Sequence, residues 1–201
     1  MIATLLIATA SPMSAVDAEI AFARDSQQIG QWTAFRKWAA DDAWMFVPQP
    51  VHAQQWLKGR KDPPESVRWS ASESYVSCDG SFAVNTGPWA REGGTRHGYF
   101  STIWKRQGEN WRWVYDAGDD LPKPLLSFDQ PRERIASCEG TPTTIEGAPA
   151  TDGASSGSGA SLDGTLRWSW IVMPDGARAF RTFLWNGSSY EQVIADTVAA
   201  K

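Results

Sequence analysis

The chain has 201 residues, a formal net charge of -4, 12 Trp, 2 Cys and 2 His. That length carries one ordinary domain plus an appendage and buries a real core, and the scattered Lys and Arg offer no basic face to nucleic acid. With so few His and no Cys/His spacing of a metal or redox motif, neither a metal nor a cofactor is expected.

Met1 to Ala10 is a short apolar stretch without charge, too short to span a bilayer. Residues 1–15 read either as the end of a secretory signal, with small-residue cleavage sites near Ala15 or Ala18, or as an apolar arm. Export to the periplasm or the exterior is the expectation, with a cytoplasmic protein as the alternative. Ser14-Ala15-Val16-Asp17 has the form of a capping box ahead of a helix from about Ala15 to Gln28, with Val16, Ile20 and Ala23 on its apolar period. Gly30 interrupts, and Trp32, Phe35, Trp38 and Ala39 mark a second amphipathic helix ended by Asp41 and Asp42. Ala43 to Val47 reads as a short buried strand stopped by Pro48 and Pro50, and Ala53 to Leu57 as one or two more helical turns.

From Val67 the period changes to two. Val67 to Cys78 is a strand ended by Asp79-Gly80, a strong hairpin signal. Ser81 to Arg91, His97 to Arg106 and Trp111 to Gly118 follow through Glu92-Gly93-Gly94 and Gln107-Gly108-Glu109-Asn110, which makes a twisted antiparallel meander. Strand alternation puts Trp111, Trp113 and Tyr115 on one face and Arg112, Val114 and Asp116 on the other. Both faces carry aromatics, so both need a cover. Helices can cover one; the C-terminal segment or a partner subunit must cover the other.

Residues 121–138 form a connector. Residues 139–164, rich in Gly, Ser, Thr, Ala and Pro, read as a flexible linker. Residues 165–201 resume strand grammar as a three-strand extension. Three short strands cannot fold alone, so the extension must dock on the first domain or on its copy in a dimer. Cys78 and Cys138 allow one intramolecular pairing, either a bridge in an exported protein or two idle thiols.

The order helix, helix, proline-stopped strand, short helix and meander resembles the nuclear transport factor 2-like superfamily. The meander is similar to its polyketide-cyclase-like, SnoaL-like branch of bacterial proteins. The resemblance is carried by Arg68-Trp69, Val76-Ser77-Cys78-Asp79-Gly80, Thr86-Gly87-Pro88-Trp89, Gly98 to Arg106 and Trp111 to Asp116 with Gly118. It spans about residues 16–120. It implies an α+β cone, N-terminal helices packed on a curved antiparallel sheet, with the C-terminal antiparallel β extension lying outside it. It further implies that the cone's open end admits a small apolar molecule, and that dimers pack through the sheet's outer face.

Enzymes of this superfamily, such as ketosteroid isomerase, set a carboxylate base and an acidic hydrogen-bond donor in the cone, and burial raises such a carboxyl toward neutral pH. The carboxylates and histidine that could act here are Glu73, Asp42, Asp116 and His97, but no pair matches the catalytic motif. Asp42 suits a helix end or turn, and His97 a rim position. Strand parity turns Asp116 away from Trp111, Trp113 and Tyr115 and groups Glu73 with Trp69, Ala71 and Tyr75. An apolar ligand would meet Trp69, Tyr75, Tyr99, Trp113 and Tyr115. Three functions follow: a non-catalytic envelope protein that binds a small molecule or protein partner through a Trp-lined cone, an isomerase or lyase with a buried carboxylate base, or a dimerisation module without an open pocket.

Overall fold

The computed structural model describes residues 12–128, 130–143 and 152–200. The apolar stretch Met1 to Ala10 lies outside them. Ser14 caps helix α1 (Ala15–Ile29): its Oγ accepts from Asp17 N at 3.0 Å, and Asp17 Oδ2 accepts from Ser14 N at 3.0 Å. The buried stripe of α1 is Ala15, Ala18, Phe22 and Ser26 together with Glu19, while Ile20 is exposed. The expected stripe through Val16, Ile20 and Ala23 is therefore rotated. Small residues on the buried side let the helix lie close to the sheet.

Helix α2 (Gln31–Trp38) passes directly into β1 (Ala39–Phe46), because Ala39 already has extended backbone. Asp41 and Asp42 thus do not end a helix; they are exposed residues of β1. Then come β2 (Pro50–His52), α3 (Ala53–Leu57), β3 (Arg68–Trp69), β4 (Glu73–Val76), β5 (Phe82–Arg91), β6 (Arg96–Gln107), β7 (Asn110–Asp120) and β8 (Arg132–Ile135). These strands form one curved sheet in the order β2-β1-β7-β6-β5-β4-β8, with β3 pairing β5. The meander is antiparallel, whereas β1 on β7 and β8 on β4 pair in parallel. The connector therefore supplies an edge strand. With α1 to α3 packed on one face, this is the α+β cone that the resemblance implies.

Two bulges decide which face each side chain takes. Trp69 opposes Trp89 and Glu73 opposes Thr86, so residues 70–72 stand against Gly87 and Pro88 alone. A Cβ on Gly87 would collide with the Ser70 carbonyl and the Ser72 amide, and only glycine permits this approach. On β7, Trp113 opposes Trp104 and Tyr115 opposes Ile103, which leaves Val114 as the extra residue. An odd residue flips everything beyond it to the other face. Trp69, Trp104, Trp111 and Trp113 accordingly pack under the helices, while Tyr75, Ile103 and Tyr115 belong to the opposite face.

The remaining chain builds a second antiparallel sheet, β12-β11-β10-β9, from β9 (Ser155–Ala160), β10 (Leu166–Val172), β11 (Arg178–Trp185) and β12 (Tyr190–Val198). Residues 155–160 are thus a strand and not linker, and the extension is four-stranded. Strand β9 contains only Ser, Gly and Ala; the Trp168 and Trp170 indoles lie over Gly159 and Gly157, where a Cβ would collide with them. Large cross-strand rings stabilise a segment whose own strand propensity is poor.

This sheet covers the outer face of the first one. Leu166, Phe180, Leu184 and Ile194 share a core with Tyr75, Val84, Ile103 and Tyr115, and Tyr115 stacks on Phe180 at 4.5 Å. Cys78 and Cys138 are bonded, and Cys78 N donates to Thr165 Oγ1 at 2.9 Å. The face expected to pair two protomers is filled by the chain's own C-terminal sheet. A groove of about 460 Å³ remains at the margin of that face, lined by Glu73, Thr86, Tyr99 and Leu126.

Candidate functional site

The helix-covered face is not completely filled. A cavity of about 390 Å³ opens between α2, the segment after β1 and the far ends of β5, β6 and β7. Its apolar walls are Trp32, Phe35, Met45, Trp69, Trp89 and Phe100. In the single chain the cone is thus open and not solidly filled.

Asp116, Asp119 and Asp120 all line this cavity; Asp119 and Asp120 stand by the arginines at its mouth, and Asp116 is the one brought against the aromatic walls by the Val114 bulge. The parity expectation, which turned it away from Trp111 and Trp113, is corrected: Asp116 lies on their side of the sheet, and Tyr115 is the residue that turns away. Asp116 is partly buried, and its Oδ2 accepts from Thr102 Oγ1 at 2.8 Å. Burial raises its pKa to about 7; the Thr102 hydrogen bond lowers it and the charge of Glu19 raises it further. Between pH 6 and 8 the group therefore exchanges between acid and carboxylate.

Glu19 was missed by the sequence reading. It is 1 % exposed, and its Oε1 accepts from Trp69 Nε1 at 2.7 Å, its Oε2 from Trp104 Nε1 at 2.7 Å and from Asn85 Nδ2 at 3.2 Å. Burial raises Glu19 to about 7, against these three donors. The clue lay in the composition: buried indole N–H groups require acceptors, and Glu19 sits one turn from Ala15 and Phe22 on the helix. Through its bond to the indole, Glu19 fixes Trp69 in the cavity wall.

The other anticipated residues are dispersed. Trp69 lines the cavity, whereas Trp113 is wholly buried behind it, with its Nε1 unpartnered among the described residues. Tyr75 lies on the outer face and donates to Glu73 Oε2 at 2.7 Å, so Glu73 is outside the cone. Tyr99 and Tyr115 border a narrow cleft with Asp196 between the two sheets, and burial pushes both hydroxyls above the usual tyrosine range. Asp42 lines a separate groove beside Trp44 and His52. His97 is partly buried, both its ring nitrogens lack partners among the described residues, and it does not line the cavity. No group of three or more His, Cys, Asp or Glu among the described residues is placed to hold a metal, and no described helix is long and apolar enough to cross a membrane.

No family model and no curated protein matches the chain. Solved structures similar to it include a ketosteroid isomerase candidate from Parabacteroides distasonis, 12 % identical, covering 54 % of this chain and 89 % of its own, with a TM-score of 0.43. A nuclear transport factor 2-like protein of unknown function from Shewanella oneidensis is 14 % identical over 51 % of this chain and 96 % of its own, with a TM-score of 0.41. The CamKII hub homology domain from Chlamydomonas reinhardtii is 16 % identical over 54 % of this chain and 99 % of its own, with a TM-score of 0.39.

Proposed function

We propose that the cone binds a small, mainly apolar molecule and that Asp116 meets a polar atom of it. The observation that carries this reading is a carboxyl group set in a cavity of about 390 Å³ whose deep walls are aromatic. Small-molecule sites combine such walls with a few placed polar groups. A panel of aromatic alcohols and ketones, 2-naphthol and 2-tetralone among them, is expected to quench tryptophan fluorescence and raise Tm. Asp116→Leu, which retains volume and removes the polar atoms, is expected to weaken them about tenfold, the worth of one hydrogen bond to a charged group. No binding by any member of the panel would overturn the reading.

A second reading, proton transfer of the isomerase or lyase type, is favoured by the pKa of about 7 at Asp116, which suits a general base near neutral pH. It ranks behind binding because no tyrosine among the described residues lines the cavity to hold an oxyanion. Deuterium exchange next to the carbonyl of 2-tetralone, lost in Asp116→Asn, would support it; no exchange with the unmodified protein sinks it and leaves the binding reading intact.

The compartment proposed is an oxidising one, the periplasm or the exterior, supported by the Cys78–Cys138 bridge. Two free thiols in protein isolated from its host under non-reducing conditions would refute this.

A further inference from the structure

The mouth of the cone is lined by three arginines, Arg91, Arg96 and Arg178. Two are matched by carboxylates. Arg96 Nη2 lies 3.1 and 3.0 Å from the two Asp120 oxygens, and Arg178 Nη2 donates to the Gly118 carbonyl at 2.7 Å and lies 3.8 Å from Asp119. Arg91 differs. Its Nε is shut from solvent without an acceptor among the described residues, and its guanidinium faces the Trp89 ring at 5.5 Å. A guanidinium is a fork of N–H donors that fits a carboxylate in bidentate fashion, and a buried donor left unmet is unfavourable.

The register of the sheet gives the distance from this cation to the acid inside. Arg91 opposes Arg96 on β6, and Asp116 opposes Thr102 on the same strand. The six-residue step between Arg96 and Thr102 is roughly 20 Å of strand. Trp89, Phe100 and Trp69 line the cavity between these ends.

We infer that the cone takes an elongated, mainly apolar monoanion, with its carboxylate on Arg91 at the mouth and its apolar body directed toward Asp116. This rests on the binding reading of the cone. A monoanion is specified because one of the three guanidinium groups has no carboxylate within ion-pair distance among the described residues; a dianion would have to displace Asp120 or Asp119 from its arginine. The reverse orientation would bring the anion against Asp116, with Glu19 behind it, and like charges in a poorly solvated site repel. The C-terminal sheet takes part in the selection, since Arg178 of β11 holds the Gly118 carbonyl at the cavity wall.

The test compares decanoate with decan-1-ol, the same chain with and without the charge, by calorimetric titration of the full chain at about pH 7.5. Decanoate is expected to bind at least tenfold more tightly, with Arg91→Gln removing that preference while leaving the affinity for the alcohol unchanged. Should that variant not fold, the salt dependence of the unmodified protein serves instead: raising NaCl from about 20 to 500 mM is expected to weaken decanoate and spare decan-1-ol. Equal affinity for acid and alcohol, equal loss of both in Arg91→Gln, or a salt-independent affinity for decanoate overturns the inference and leaves the cone a binding site. If neither compound binds, the inference is overturned; if the aromatic panel also fails, the binding reading falls with it.

Discussion

The two faces of the central sheet begin alike and end differently. Each presents large aromatic and aliphatic side chains, and each is too apolar to face water. The outer face is covered by another sheet, whose Leu166, Phe180, Leu184 and Ile194 interleave with Val84, Ile103 and Tyr115. Sheet against sheet brings two regular apolar surfaces together and packs the middle of the face, with grooves left at its margins beside Trp44 and Trp170 and beside Glu73 and Leu126. The inner face is covered by helices α1 to α3, which crown only part of a curved sheet and leave its far end open. The comparison shows that aromatic content alone does not specify a pocket; the shape of the covering layer does.

The sharpest way to break this comparison is to remove a side chain from the closed face. Phe180 is 3 % exposed and stacks on Tyr115, and its truncation to Ala should cost about 4 kcal/mol of folding stability, read as a lower urea midpoint. Both sheets should still unfold in one transition, because the Cys78–Cys138 bond and the Ser101 to Asp196 hydrogen bond of 2.7 Å tie them together. Two separate transitions would show that the outer sheet is only an appendage.

The inner face should reveal itself through pH. Glu19 and Asp116 are both raised to about 7, chiefly by burial. In the unfolded chain such carboxyls titrate near 4, so between about pH 4 and 7 the native state holds protons that the unfolded state has released. The stability this contributes is fully present below about pH 4 and is lost as pH rises through 7. The full loss, over roughly three pH units, is on the order of 4 kcal/mol for each group. Asp196, on the seam between the sheets and raised by burial, adds to it with the same sign. Urea titrations at pH 5 and 8 are expected to give lower stability at pH 8, with a smaller difference in Asp116→Asn. A protein more stable at pH 8 than at pH 5 would mean that these groups are solvated.

Local signals in the sequence located the elements well and their faces poorly. The Ser14/Asp17 capping box, the Asp79-Gly80 turn and the meander are short-range features whose cause lies within a few residues, and they stand where the pattern put them. Face assignment is different, because it depends on counting by twos along an unbroken strand. The extra residue at 70–72 parted Glu73 from Trp69, and the extra Val114 parted Tyr115 from Trp113 and brought Asp116 to the tryptophans' side. Neither bulge carries a strong local mark; Gly87-Pro88 was the nearest hint. Strand β9 escaped because Ser and Gly resemble a linker until Trp168 and Trp170 are placed across them. Glu19 escaped because a helix pattern treats a glutamate as solvent-facing, whereas here three donors from β3, β5 and β6 converge on it.

The smallest expected effect lies at the edge of the inner layer. Ser14→Ala removes the acceptor for Asp17 N and should cost about 1 kcal/mol, as a lost N-cap does. The loss should stay at the first turn, because the chain entering α1 is held independently: Trp111 Nε1 donates to the Met13 carbonyl at 2.8 Å and Asn85 Nδ2 to the Ala15 carbonyl at 3.0 Å. Glu19 should therefore keep its indole partners, and the near-ultraviolet circular dichroism of the buried tryptophans should not change. A loss as large as that of Phe180→Ala, with an altered tryptophan spectrum, would mean that α1 docks through its cap. The inner layer would then be as cooperative as the outer one, and the cone would owe its opening to something other than a loosely fitted cover.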